Sequence, residues 1–344
     1  MPTSTAIVVT SIAAPNDVMR ELAKQALVRG DSFYVIGDKP SPADFQLDGC
    51  SFFSLERQAG TGFKTAELSP LRHYARKNIG YLLAAQEGAE VILETDDDNV
   101  PHAGFWAARE RMQKTNTLRA GGWVNAYAYF SEENIWPRGL PLDEIQTKVP
   151  DYDSLPVEAS DCPIQQGLAD GDPDVDAIYR LVFPVSIQFR QDRRLTLGEG
   201  AWCPFNSQNT TWFPDAYELL YLPAFCSFRM TDIWRSFIAQ RIAWANGWSL
   251  LFHEPTVFQL RNEHNLMRDF RDEIPGYVNN RKIAETLEAL TLASGVENIG
   301  ANLKLCYESL VRIAVMEERE LNLLAAWTDD FAAIRKARIS AAAK

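Results

Sequence analysis

Glu94-Thr95-Asp96-Asp97-Asp98-Asn99 places three adjacent carboxylates directly after the apolar run Glu90–Thr95, at the carboxyl end of what reads as a buried strand. Adjacent carboxylates repel one another, so such a turn needs a reason to exist. Strand alternation sends Asp96 and Asp98 to one side and Asp97 to the other. Two oxygen donors in that arrangement can hold one hard divalent cation and leave coordination positions for phosphate oxygens. The competing reading is a solvated acidic turn; the strong strand in front and the lack of a turn glycine favour the cation. Arg72, His73, Arg76 and Lys77 precede this turn on a helix predicted over Leu71–Glu87. Arg72 and Arg76 then share a face, and guanidinium groups bind phosphate in bidentate fashion. For Arg72 a solvent-exposed basic face is an equal alternative.

A further carboxylate, Asp232, opens a predicted helix in Arg229-Met230-Thr231-Asp232-Ile233-Trp234-Arg235. At a helix N-terminus an ionised carboxylate is stabilised and can act as a general base. It can equally be an N-cap worth about 1 kcal/mol. Trp234 reads as core or as a stacking surface for a substrate ring, and Arg235 as a neighbouring substrate contact. Asp170, Asp172, Asp174 and Asp176 recur at every second position, yet Val175 and Leu181 stand where a calcium loop needs Gly and Glu, so an EF-hand is rejected. A substrate loop remains, with Asp174 and Asp176 as substrate or metal-shell contacts. Asn206 and Gln208 could bond substrate hydroxyls, although buried amides commonly satisfy only backbone.

These residues need a scaffold that gathers them. Ala6–Thr10, Ser32–Gly37, a short run at Ser51–Leu55 and Glu90–Thr95 read as strands separated by helical signals. That alternation predicts right-handed βαβ units and an α/β fold with a mixed, mostly parallel sheet flanked by helices. Residues 134–200 are rich in Pro, Gly and Asp with little periodicity, and read as a long functional loop such as a lid or acceptor platform. From Arg281 onward the chain reads as helical, with a break near Ser294–Gly300. A division follows into a nucleotide-binding and catalytic domain over 1–275 and a C-terminal helical region over 276–344, whose helices could pack on the first, form a homodimer or meet a membrane face.

The 344 residues carry a net charge of −12 without any Lys/Arg block, which argues against a nucleic-acid partner. Five widely spaced cysteines fit reduced thiols better than disulfides or zinc. No apolar run is long enough to span a membrane. The chain reads as soluble and cytoplasmic. Phosphate-loop, dinucleotide, serine-hydrolase and zinc-protease signatures are all missing.

Arg76–Tyr81 (RKNIGY) followed by Glu94–Asn99 (ETDDDN) resembles the STELLO-type glycosyltransferase family. The likeness continues through Trp136–Leu142 (WPRGLPL), Gln165–Leu181, Pro204–Thr210 (PFNSQNT) and Asp232–Arg235 (DIWR), in the family's order from about Ile7 to His264. A fainter likeness reaches the reversibly glycosylated polypeptides, the UDP-arabinopyranose mutases, through the acidic turn and Pro150–Asp153. Both resemblances imply a glycosyltransferase A-type, Rossmann-like fold that binds a nucleotide sugar through Mn²⁺ (or Mg²⁺). They imply roles as well. Thr10 and Asp38 would line the nucleoside pocket, Arg76 and Lys77 would face base or diphosphate, and the turn Asp96–Asp98 would meet ribose and metal. His264 would complete the metal shell. Asp232 with Gln240–Trp244 looks like the acid and Q/R-x-x-W arrangement of inverting processive synthases. Plant STELLO proteins resemble anchored Golgi enzymes, whereas this chain starts directly at its first strand, so their location and partners are not expected to carry over. The expected function is a metal-dependent transferase moving a sugar, most readily UDP-linked, to a glycan or other acceptor hydroxyl in polysaccharide synthesis, inverting with Asp232 as base. A nucleotide-sugar mutase and a noncatalytic partner of a polysaccharide-synthesising complex are the alternatives.

Overall fold

The structure, a computed structural model, describes residues 4–119, 121–184, 186–260 and 265–342. The strands are β1 (Thr5–Thr10), β2 (Ser32–Ile36), β3 (Ser51–Phe53), β4 (Val91–Thr95), β5 (Asn99–Pro101), β6 (Met112–Leu118), β7 (Gly122–Trp123), β8 (Val157–Asp161), β9 (Ile164–Gly171), β10 (Arg194–Leu197), β11 (Ala201–Trp202), β12 (Asn209–Trp212) and β13 (Leu250–Gln259). The helices are α1 (Asp17–Arg29), α2 (Leu55–Ala59), α3 (Lys64–Leu68), α4 (Lys77–Glu87), α5 (Ala177–Val182), α6 (Thr231–Ala245), α7 (Leu266–Glu288), α8 (Ile299–Arg312) and α9 (Glu320–Ala342).

One large mixed sheet runs β3-β2-β1-β4-β12-β9-β13-β10-β6-β8, with β5 added to β13; β7 and β11 form a separate pair. β1 to β4 are mutually parallel, β12 enters antiparallel between β4 and β9, and β9 and β13 again follow the direction of β1. The expected α/β architecture of a mostly parallel sheet flanked by helices is therefore present. β1 explains why: Ala6 and Val8 point into one core, Ile7 and Val9 into the other, so the strand is apolar on both faces. The smaller core is closed by α1, which ends on Gly30 in the left-handed conformation. The larger is built on α4, α6 and the C-terminal helices, and α6 is buried on nearly every side.

The helix predicted over Leu71–Glu87 begins only at Lys77. Arg72 has a left-handed φ of 58°, and the His73 ring accepts from the Ala75 amide (3.0 Å) to cap a 3₁₀ turn over Tyr74–Arg76. Arg72 and Arg76 consequently share no helical face. The segment 134–200 is also more regular than its composition suggests: β9, a fully buried central strand, lies within it. Its Gln166 escapes the apolar pattern because the side-chain oxygen is satisfied by the Asn206 amide (2.9 Å) and the Thr210 hydroxyl (3.1 Å). The helical C-terminal part starts at Leu266, earlier than Arg281. All five cysteines are unpaired thiols. Among the described residues no helix is long and apolar enough to cross a membrane.

Candidate functional site

Strand order decides where ligands fit. After β1 the chain builds outward to β2 on one side, while β4 returns on the other, so a crevice opens at the carboxyl ends of β1 and β4. Thr10 ends β1 and Asp96 follows β4 at this point. A cavity of about 340 Å³ lies there, lined by Thr10, Tyr74, the three turn aspartates, Arg138, Asp174, Ser207, Gln208, Phe228, Arg229, Asp232 and Gln259.

Tertiary contacts shape the acidic turn on both sides. The Ser11 hydroxyl donates to the Asp97 carboxylate, and Asn16, which caps α1, donates to the Asp97 carbonyl (2.7 Å). Gln259 reaches Asp98 Oδ2 at 3.4 Å. Asp96 accepts from Lys77 Nζ at 2.8 Å. Loss of hydration in the cleft wall raises the Asp96 carboxyl above the usual range; Lys77 works against this, and the charges of Asp97 and Asp232 add to it. Lys77 is fully buried, and its ammonium also donates to the carbonyls of Thr95 (2.8 Å) and Ser207 (3.1 Å). All three of its donors are therefore committed to holding the turn, which corrects the expectation that Lys77 faces a diphosphate. Arg76 is likewise turned away, bonded to Gln58 and to the Ser69 carbonyl (both 2.8 Å).

The helix α6 is bolted to the sheet. Arg235 pairs with Glu94, the penultimate residue of β4, through bonds of 2.9 and 2.8 Å, both groups fully buried. Asp232 lies three residues earlier on the same helix face and so stands above the end of β4. Arg138 reaches it because Gly139, at φ 94°, presses its loop onto α6; a Cβ there would lie 2.4 Å from Ile233 Cγ2. The Arg138 guanidinium grips Asp174 as a fork (2.8 and 2.8 Å) and Asp232 through both terminal nitrogens (3.1 and 2.9 Å). Asp232 also accepts from the Ser207 amide (3.2 Å) and the Tyr74 hydroxyl (3.2 Å). Burial and the charge of Asp174 would raise its carboxyl, but the charge and hydrogen bonds of Arg138, with the charge of Arg235, outweigh that, so Asp232 is held below the ordinary carboxylate range.

The structure thus brings Thr10, Asp96, Asp97, Asp98, Asp174, Gln208 and Asp232 to one cleft. Asp38 stays at the neighbouring strand end, accepting from the Lys39 and His73 amides (2.6 and 3.0 Å). Four expected substrate contacts serve the framework instead. Arg235 neutralises Glu94. Trp234 is buried with its indole N–H on Asn280 (2.8 Å). Asp176 caps α5 and accepts from Trp136 (2.7 Å), its carboxyl pushed up by burial to about 6. Asn206 braces its own loop through the Gln208 amide (3.0 Å). His264 lies outside the described residues. Sequence reading passed over Tyr74, Arg138, Ser207, Phe228, Arg229 and Gln259; the available signals were that Arg138 sits inside the WPRGLPL motif and Ser207 inside PFNSQNT.

Five carboxylates and two guanidinium groups line the cleft. A diphosphate could not settle there without added positive charge. Among the described residues no three His, Cys, Asp or Glu side chains converge as a ready-made metal cage. The hard oxygen donors of the turn instead suit a divalent cation whose remaining ligands come from the substrate.

Residues 229–338 match the model of the STELLO glycosyltransferases. The chain is 27% identical over 347 aligned residues to Probable glycosyltransferase STELLO1 of Arabidopsis thaliana, covering 95% of the chain and 44% of that protein. It is 30% identical over 302 residues to Probable glycosyltransferase STELLO2 of the same plant, covering 82% and 39%. The likeness to the STELLO glycosyltransferases read from the motifs is thus shown, although the chain spans less than half the length of these relatives. A mycobacterial protein of known crystal structure aligns at a TM-score of 0.40 and 10% identity, over 81% of this chain and 75% of that one.

Proposed function

We propose that this chain transfers a sugar from a nucleotide-sugar donor to an acceptor hydroxyl. The observation that carries the reading is the cleft itself: an acidic turn at the carboxyl end of β4 faces a buried carboxylate, Asp232, across about 340 Å³ of space. The similarity to proteins named as probable glycosyltransferases supports it, and the resemblance to UDP-sugar enzymes favours a UDP-linked donor. Thr10 and the Asp97 side of the cleft take the nucleoside. Asp96 and Asp98, with His264, would hold Mn²⁺ or Mg²⁺, which when bound neutralises the pyrophosphate leaving group. The division into a nucleotide-sugar domain over 1–275 and a helical region over 276–344 belongs to the same proposal.

In the inverting form, a bond forms between the acceptor oxygen and the anomeric carbon as the bond from that carbon to the phosphate oxygen breaks. The acceptor's proton passes to Asp232 and the nucleoside diphosphate leaves. Arg138 keeps Asp232 ionised at neutral pH, so it is ready to accept. Its low basicity is tolerable because the hydroxyl becomes strongly acidic only as the glycosidic bond forms. Ser207 and Tyr74 fix the carboxylate's orientation.

The test is the thermal stability of the protein against a panel of UDP-, GDP- and ADP-sugars, each with and without Mn²⁺. A ligand that prefers the folded state raises the melting temperature by mass action. A rise with one nucleotide sugar that depends on metal is the expected result. Absence of any shift across the panel would overturn the proposal.

A further inference from the structure

Phe228, on the loop entering α6, shares the cleft with Asp232. It lines the cleft and keeps 47% of its surface exposed. The ring is firmly held. Tyr74 packs edge-on to it at 5.0 Å and 78°, and His73 at 5.1 Å and 63°, while His73 and Tyr74 stack on each other at 5.5 Å and 15°. Burial pushes the His73 imidazole down to about 4, so this three-ring cluster is uncharged at neutral pH. The cluster is tied to the proposed base, because the Tyr74 hydroxyl donates to Asp232 Oδ1. A half-exposed phenyl ring is therefore fixed in the cleft by two rings, one of which is bonded to the proposed base.

We infer that Phe228 is the platform on which the acceptor stacks, and that the acceptor is a saccharide whose ring presents an apolar C–H face. This rests on the transferase reading above. The negative face of an aromatic ring attracts the weakly positive hydrogens of a pyranose, and the contact removes apolar surface from water. Phe228 packs on the tyrosine that is bonded to the proposed base, so a sugar ring over it belongs to the molecule whose hydroxyl must reach Asp232. Trp234, the aromatic that the sequence offered for this task, is buried beneath the site with 1% of its surface exposed.

The experiment compares wild type, Phe228→Ala and Phe228→Trp, using the donor found by the stability panel and cellotriose, maltotriose and xylotriose as acceptors. The alanine variant should raise the acceptor KM about three- to tenfold, the range an aromatic contact supplies, while the donor KM stays at its wild-type value. Tryptophan should restore the acceptor KM. Wild-type transfer with an unchanged acceptor KM in Phe228→Ala overturns this inference alone. Equal rises in both KM values also overturn it, since they mark a structural role. Donor hydrolysis with none of the three saccharides accepted overturns it and leaves the donor reading standing. No donor turnover at all overturns both.

Discussion

Replacing Arg138 by methionine removes a guanidinium that bridges Asp174 and Asp232 while keeping most of the side chain's volume. Both carboxylates are at least nine-tenths buried, and four charge-assisted bonds of 2.8 to 3.1 Å go with the guanidinium. Breaking a buried ion pair from one side costs about 3–5 kcal/mol, because the remaining charge keeps its desolvation penalty. The loss should depend on pH, with a sign fixed by Asp232. In the native protein its folded-state pKa lies below the unfolded value, so its share of stability is complete above the unfolded pKa and disappears as pH falls through the folded one. Without Arg138, burial dominates and raises the carboxyl, so the charged group opposes folding at neutral pH and stops doing so as acid protonates it. The stability gap between wild type and R138M should therefore be widest near pH 7–8 and narrow towards pH 5. Urea unfolding followed by the fluorescence of the nine tryptophans measures this, with Trp136 two residues away as a local reporter. A gap below about 1 kcal/mol at neutral pH, or one that stays flat with pH, would refute the argument that Arg138 neutralises this wall.

The other expectations are simpler. Asp98→Ala should abolish metal-dependent turnover, and near-normal activity in that variant would remove the turn from cation binding. Asp232→Asn should keep the metal-dependent stabilisation by the donor while transfer falls at least about a hundredfold; unchanged transfer would leave Asp232 only its role as the anchor of Arg138. Gly80→Ala should cost about 1–3 kcal/mol by overpacking, since its Cβ would lie 2.5 Å from Val8 Cγ1 and 3.0 Å from Ile36 Cγ1. An unaltered melting temperature would show that α4 does not approach β1 and β2 so closely.

The acidic turn and Asp232 were legible because their signals are local: an apolar strand before a carboxylate run, and a carboxylate in the first turn of a helix. The direction of the neighbouring cations was not. Arg76 and Lys77 sit beside the turn in the folded chain, yet one serves Gln58 and the Ser69 carbonyl and the other the turn itself. Trp234, two residues after Asp232, points elsewhere because a helix turns about 100° per residue, whereas Arg235 shares the face of Asp232 and is claimed by the buried Glu94. β9 escaped notice because its polar side chains are satisfied by partners some 40 residues away.

The sequence by itself determined the early elements β1, α1, β2 and β4 and two of the carboxylate groups, since β-branched runs, caps and periodicity act over a few residues. Tertiary structure alone decided which strand ends meet, and so that Thr10, Asp96 and Asp232 share a cleft. It also decided that Arg138, 94 residues from Asp232, supplies the charge that keeps that carboxylate ionised. Strand order and the close approach of the Gly139 loop to α6 have no local signature, because each depends on burying surfaces contributed by distant parts of the chain.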